Sequence, residues 1–110
     1  MSFPVSAGLL EACVLGVVST SDTYGYDLTQ RIRSTTDISE STLYPVLRRL
    51  LKEQLLDTYD QPFDGRNRRY YSINDKGRQQ LLQYVEQWQA FKKQIDDLLG
   101  ADLEGEKEHE

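Results

Sequence analysis

The sequence predicts an α+β fold, mainly α with one small β-hairpin: a helix-turn-helix extended by a hairpin wing and followed by a long C-terminal helix. Three observations carry that expectation. Apolar residues keep a 3.6-residue period through three segments between residues 7 and 56, the period drops to 2 between residues 55 and 73, and helical spacing returns from residue 74 to about residue 99. The change of period sets the hairpin directly behind the third helix, where a wing belongs.

Pro4 and Ser6 precede a first helix over about residues 7–18, apolar on most sides and so expected to be buried. The polar segment STSDT, residues 19–23, ends in good helix-capping residues. YGYDLTQRIRS then reads as a second helix over residues 24–34, with Tyr24, Leu28 and Ile32 on one face. A short turn, residues 35–38, leads into SESTLYPVLRRLLKEQLL, residues 39–56, which reads as a third helix. Its core-facing stripe is Leu43, Val46, Leu47, Leu50 and Leu51. At about 100° per residue the opposite side carries Ser41, Pro45, Arg48, Arg49 and Lys52, flanked by Thr42 and Tyr44, a cationic surface rich in hydrogen-bonding groups. Ser39 or Ser41 is the expected N-cap, leaving Pro45 near the end of the first turn, where its missing N–H costs at most about one helix bond. Taken alone, such a helix is more simply solvated amphipathic surface; two helices and a tight turn before it make it a candidate DNA-reading helix.

Residues 55–61 and 68–73 read as strands, with Arg69, Tyr71 and Ile73 on one face and Arg68, Tyr70 and Ser72 on the other. Between them PFDGRN supplies Pro62, Asp64, Gly65 and Asn67, all turn-favouring residues. Arg66, Arg68 and Arg69 can therefore meet phosphates or a minor groove from the hairpin, although arginines in such loops are commonly just solvated. From an N-cap at Asn74 the last helix spans some 26 residues, roughly 39 Å. Gly77 in its first turn weakens helix propensity without breaking the helix.

With Leu81 at heptad position a, the a and d positions Tyr84, Trp88, Phe91, Ile95 and Leu98 are all apolar or aromatic. Packing back on its own domain accounts for Leu81, Leu82 and Val85, whereas Phe91, Ile95 and Leu98 project beyond it. The seam Leu81, Tyr84, Trp88, Phe91, Ile95 and Leu98 is thus expected to pair with a second copy, in part against the first helix. The chain divides into a DNA-binding domain (residues 1–73), a dimerisation helix (74–100) and an acidic tail expected to be disordered (101–110).

A net charge of −5 argues against a polyanionic partner until it is mapped along the chain. The last ten residues hold five acids against Lys107, while residues 31–79 hold ten basic groups against seven acids, and a polyanion responds to the local patch. The single cysteine, Cys13, excludes an internal disulfide and lies in the apolar run LLEACVLGVV, the setting of a buried, inert thiol in a reducing cytoplasm. That run is too short to span a bilayer and contains Glu11, and no export signal surrounds it. The only histidine is His109, no Cys/His cluster could hold a metal and no Gly-rich loop could hold a phosphate cofactor. Asp57–Asp60 and Asp96–Asp97 lack a nucleophile or partner base, so no enzyme is expected.

TYGYDL, STLYPVLRRLLKEQLL and GRNRRYYSINDKGRQQL, separate motifs in one order, make residues 7–90 resemble the PadR family of bacterial transcriptional repressors. The resemblance implies a winged-helix dimer, with the third helix in the major groove and the hairpin on the adjacent backbone or minor groove. Carried over by position, it implies DNA contacts at Ser41, Thr42, Tyr44, Pro45 and Arg48 in the helix and at Gly65, Arg66 and Arg68 in the wing. Ser41 departs from the glycine common there, and the single helix after the wing resembles the small subfamily that includes multidrug-responsive repressors. Small regulators of that kind use a tryptophan on this helix to sandwich aromatic drugs. The resemblance therefore implies a planar hydrophobic or cationic effector lined by Trp88, Phe91 and Tyr84 and, from the first helix, Leu9 and Val14, with Asp96 or Glu86 favouring cations. Without it, an aromatic at a heptad position is more simply dimer core. The expected function is a ligand-responsive repressor acting on double-stranded DNA as a homodimer. The rival is a winged helix used as a protein-interaction module, favoured only by the overall acidity.

Overall fold

The helices expected from the 3.6-residue period all form, and one strand joins them that the period does not announce. The computed structural model describes residues 6–101. Its elements run α1 (Ala7–Thr20), β1 (Thr23–Tyr24), α2 (Gly25–Thr35), α3 (Glu40–Lys52), β2 (Leu56–Phe63), β3 (Arg66–Ile73) and α4 (Asp75–Leu99). Pro4 and all of the acidic tail but Ala101 lie outside the described residues.

Ser6 caps α1 by accepting the Leu9 N–H at 3.1 Å. The core lies where α1 crosses α2 and α3: Leu10, Val14, Leu15 and Val18 meet Leu28 and Ile32 of α2 and Leu43, Val46, Leu47 and Leu50 of α3, closed below by Leu55 and Leu56. Each buried leucine there contributes about 1.5–3 kcal/mol over an exposed one. Leu51, the last residue of the expected stripe, is only half-buried.

Two boundaries differ from the sequence reading. Tyr24 is not the first residue of α2 but its N-cap, in extended backbone (φ −103°), because the chain there pairs as β1 with β3. Its ring accordingly packs on the sheet rather than sharing a helix face with Leu28 and Ile32. The third helix stops at Lys52 instead of continuing to residue 56. Gln54 turns left-handed (φ 62°), the Gln54 N–H bonds the Leu51 carbonyl at 3.0 Å and the Leu55 N–H bonds the Leu50 carbonyl at 2.9 Å. That is a Schellman end, with the buried Leu50 and Leu55 at its hydrophobic positions and a glutamine where glycine is usual.

The antiparallel sheet has the order β1-β3-β2. Only Asp64 (φ 51°) and Gly65 (φ 76°) form the hairpin loop, both left-handed as a two-residue turn of matching twist requires. Pro62 and Asn67, read as part of the turn, are instead paired across β2 and β3. Pro62 is tolerated because β2 is an edge strand.

The start of α4 is bolted to the end of α3. Asn74 caps the helix by accepting the Gly77 N–H at 2.8 Å while donating to the Gln54 carbonyl at 2.8 Å, and Lys76 donates to the Glu53 carbonyl at 3.0 Å. From there α4 extends about 37 Å. Leu81 and Tyr84 pack on the core, but Leu82 and Val85, which the sequence reading assigned to the domain, are 66 % and 45 % exposed. Beyond the domain Trp88, Phe91, Leu98 and Leu99 are exposed as well, while Ile95 is half-buried. The uncovered apolar surface of α4 is wider than the a/d seam.

Candidate nucleic-acid interface and effector groove

Because Leu43, Val46, Leu47 and Leu50 are drawn into the core, the opposite face of α3 is turned outward, and Ser41, Thr42, Tyr44, Pro45, Arg48, Arg49 and Lys52 are all exposed. At its start the Ser39 carbonyl accepts the Thr42 and Leu43 N–H groups at 3.1 and 3.3 Å. The Ser39 hydroxyl, rather than capping a backbone N–H, lies 3.0 Å from that of Ser41 and 2.9 Å from that of Thr42. Arg33 of α2 meets Glu40 at 3.5 Å, so the one acid of the first turn of α3 is already paired. Among the described residues no carboxylate pairs with Arg48 or Lys52.

Arg49 is different. Its guanidinium lies 3.0 Å from a carboxylate oxygen of Glu11 on α1, whose other oxygen accepts the Tyr84 hydroxyl of α4 at 2.9 Å. Glu11 is 6 % exposed, the only buried charged residue among those described. Arg49, itself exposed, is thus held toward α1 and α4, unlike Arg48 and Lys52 on the same helix. Burial, reinforced by the hydrogen bond to Glu11, pushes the Tyr84 phenol up to about 12. A glutamate in an otherwise apolar helix was the visible signal for this junction, but its partners lie 38 and 73 positions away along the chain.

In the wing the three arginines have three environments. Arg66, beside the left-handed Gly65 at the tip, is exposed. Arg69 points to the other face of the sheet and meets Asp60 at 3.7 Å. Arg68 is half-buried, with its guanidinium carbon 3.9 Å from the centre of the Tyr24 ring and 3.6 Å from that of Phe63.

A separate groove of about 270 Å³ opens between α1 and α4. Ser6, Gly8, Leu9 and Ala12 line one wall and Tyr84, Gln87, Trp88 and Phe91 the other. Four of the five residues expected at an effector site, Leu9, Tyr84, Trp88 and Phe91, are brought together. Val14 is not: it is wholly buried in the core on the other side of α1. Gly8 and Ala12, one turn apart, went unread, although small residues at i and i+4 are what leaves room beside a ring. Asp96 is held by Lys92 at 3.2 Å, and neither it nor Glu86 lines the groove. Cys13 is partly buried, and that burial raises its thiol pKa, as an inert cysteine requires.

Among the described residues no helix is long and apolar enough to cross a membrane. Residues 14–83 match the transcriptional regulator PadR-like family. The fold is similar to a crystal structure of a Streptococcus mutans protein, 43 % identical with a TM-score of 0.84, over 91 % of this chain and 94 % of that one. It is also similar to a PadR-like transcriptional regulator of Bacillus cereus, 34 % identical with a TM-score of 0.77, over 84 % and 92 % of the two chains. An uncharacterised Lysinibacillus sphaericus protein is 35 % identical over 94 residues, 81 % of this chain and 86 % of that one. An outward cationic helix, an arginine-bearing hairpin behind it and a match that runs through both lead to one assignment: the chain belongs to the PadR-like family of transcriptional regulators.

Proposed function

We propose that this transcriptional regulator is a ligand-responsive repressor that binds a pseudo-palindromic operator as a homodimer. Residues 1–73 bind DNA and residues 74–100 pair the subunits. The observation that carries the DNA reading is the exposed face of α3, where Arg48 and Lys52 have no carboxylate partner among the described residues and Ser41, Thr42, Tyr44 and Pro45 stand in front of them. A two-fold dimer presents two such helices to successive major grooves about 34 Å apart. Arg66 supplies a phosphate contact from the wing, and Arg49 holds α3 against α1 and α4 through the buried Glu11.

Arg48→Ala should lower operator affinity by about 1–3 kcal/mol if the side chain reads a base edge. Arg66→Ala should weaken operator and random duplex alike and reduce the salt slope by about 1. The measurement is binding to a duplex selected from genomic DNA by the purified protein, and to a random duplex, over a salt series. Unchanged binding in both variants removes these surfaces from the interface, and a wild type that binds no duplex returns the chain to a protein-interaction role.

Supporting the effector reading is the groove itself, in which three aromatic rings of α4 face small residues of α1. A planar cationic dye should quench Trp88 fluorescence at low micromolar concentration and weaken the operator complex, and its calorimetric affinity should fall about tenfold or more in Trp88→Ala. Dye affinity unaltered by loss of Trp88 leaves that residue as dimer core. Release of DNA requires that dye and operator favour different separations of the two wings.

A further inference from the structure

The outward face of the sheet carries a row of rings that the core does not use. Register puts them there: Tyr24 and Tyr59 both pair with Tyr70, Gln61 pairs with Arg68 and Phe63 with Arg66, so these side chains share one face, while Leu56, Tyr71 and Ile73 take the other. Along that row Tyr59 stacks on Tyr70 with centroids 5.5 Å apart, and Tyr70 meets the edge of Tyr24 at 5.6 Å. The Tyr59 hydroxyl closes one end by donating to Asp22 at 2.7 Å. At the other end the Tyr24 and Phe63 rings both pack on the Arg68 guanidinium.

We propose that Arg68 is the specificity-determining residue of the wing, held ready by Phe63 and Tyr24 as positioning residues. The inference rests on the DNA reading above and names which arginine reads sequence and what holds it. With both ring centres within 3.9 Å of its carbon, the Arg68 guanidinium is packed between aromatic side chains while its N–H groups remain for hydrogen bonding, and among the described residues no carboxylate pairs with them. Rings that fix the plane beforehand reduce the rotamer freedom lost on binding. A narrow A·T minor groove offers base-edge acceptors and a strong negative potential, so a flat, pre-aimed edge is matched to it. Arg66, exposed beside the tip, has no ring against its guanidinium among the described residues and serves as a phosphate contact without sequence preference. Tyr24 is also the N-cap of α2, so the clamp fixes the wing to the helix-turn-helix and sets the direction in which Arg68 points.

The test compares the selected operator with a random duplex over a salt series in Arg68→Lys, Phe63→Ala and Phe63→Tyr. Arg68→Lys keeps the charge, so its salt slope should match wild type while its preference for operator over random duplex falls about tenfold or more. Phe63→Ala should lower that preference in the same way, without the slope change expected of Arg66→Ala, and Phe63→Tyr should restore it. Phe63 is 48 % exposed, so its loss leaves the core intact, and a thermal melt of each variant confirms folding. Equal loss on operator and random duplex in Phe63→Ala, or an undiminished preference in Arg68→Lys, overturns the clamp. A wild type with no affinity for either duplex overturns the DNA reading instead.

Discussion

Gly77→Ala should destabilise the protein by about 2–4 kcal/mol, a large effect for one methyl group. Gly77 is the only buried residue of α4, and a Cβ added there would lie 2.1 Å from the Leu55 carbonyl oxygen and 2.8 Å from Cγ1 of Ile73. The first of these neighbours is backbone, and it cannot swing aside. Leu55 is held by its bond to the Leu50 carbonyl and is followed at once by the Leu56 to Ile73 pair of the sheet. Relief therefore means lifting the start of α4 away from the end of α3, against the Asn74 and Lys76 bonds to Gln54 and Glu53. The better helix propensity of alanine recovers at most about 1 kcal/mol. Urea unfolding at fixed protein concentration should show the midpoint fall by roughly 1–3 M, whereas Gln79→Ala, exposed two residues on, should stay within about 0.5 kcal/mol. A Gly77→Ala midpoint equal to wild type would show that α4 can tilt freely at its base.

Gly77 also shows where the sequence stops being legible. As a residue in a helical pattern it signals only weakened propensity; its need to be glycine comes from Leu55, which is 22 positions away in the chain. Gln54 hides the end of α3 for a related reason. A glycine there would have marked a Schellman end, but the glutamine adopts the left-handed conformation under tertiary constraint, so the leucine pattern reads on into the strand. β1 is two residues long, too short for any period, and exists because Thr23 and Tyr24 find Tyr71 and Tyr70 across a gap of more than forty residues. What was legible depended on local repetition: four helices, the alternation of β3, the outward face of α3 and the aromatic spacing of Tyr84, Trp88 and Phe91. The hairpin pairing of β2 with β3 was legible from its turn, but pairings between distant segments were not. Arg48 and Arg49 are adjacent basic residues on the page, and only Glu11 separates their roles. Leu82 and Val85 read as core because they lie close to the domain in sequence, yet the helix turns them away from it.

Ile95→Asp should abolish the proposed dimer. In the single chain Trp88 is 40 %, Phe91 54 % and Leu98 83 % exposed, and Leu82, Val85 and Leu99 widen the same apolar surface. An exposed run of that kind on a rigid helix about 37 Å long is a surface awaiting a partner. Two-fold pairing would cover it with an identical helix, which makes Ile95 approach the seam from both sides at once. An aspartate there brings two unpaired carboxylates into a desolvated seam, at a cost of about 3–5 kcal/mol when a buried charge lacks its partner. Each 1.4 kcal/mol is a tenfold change, so the dimer should dissociate about 10²–10⁴-fold more readily. Sedimentation at micromolar concentration should then find dimer for wild type and for Ile95→Val, and monomer or aggregate for Ile95→Asp, with helical circular dichroism retained in any monomer. Operator affinity should fall with the dimer, since the two half-sites lose their linkage, while weak binding to random duplex survives through Arg48, Lys52 and Arg66. A wild type that sediments as monomer at these concentrations, or an Ile95→Asp protein that sediments with it as a dimer, would remove this face of α4 from the subunit interface.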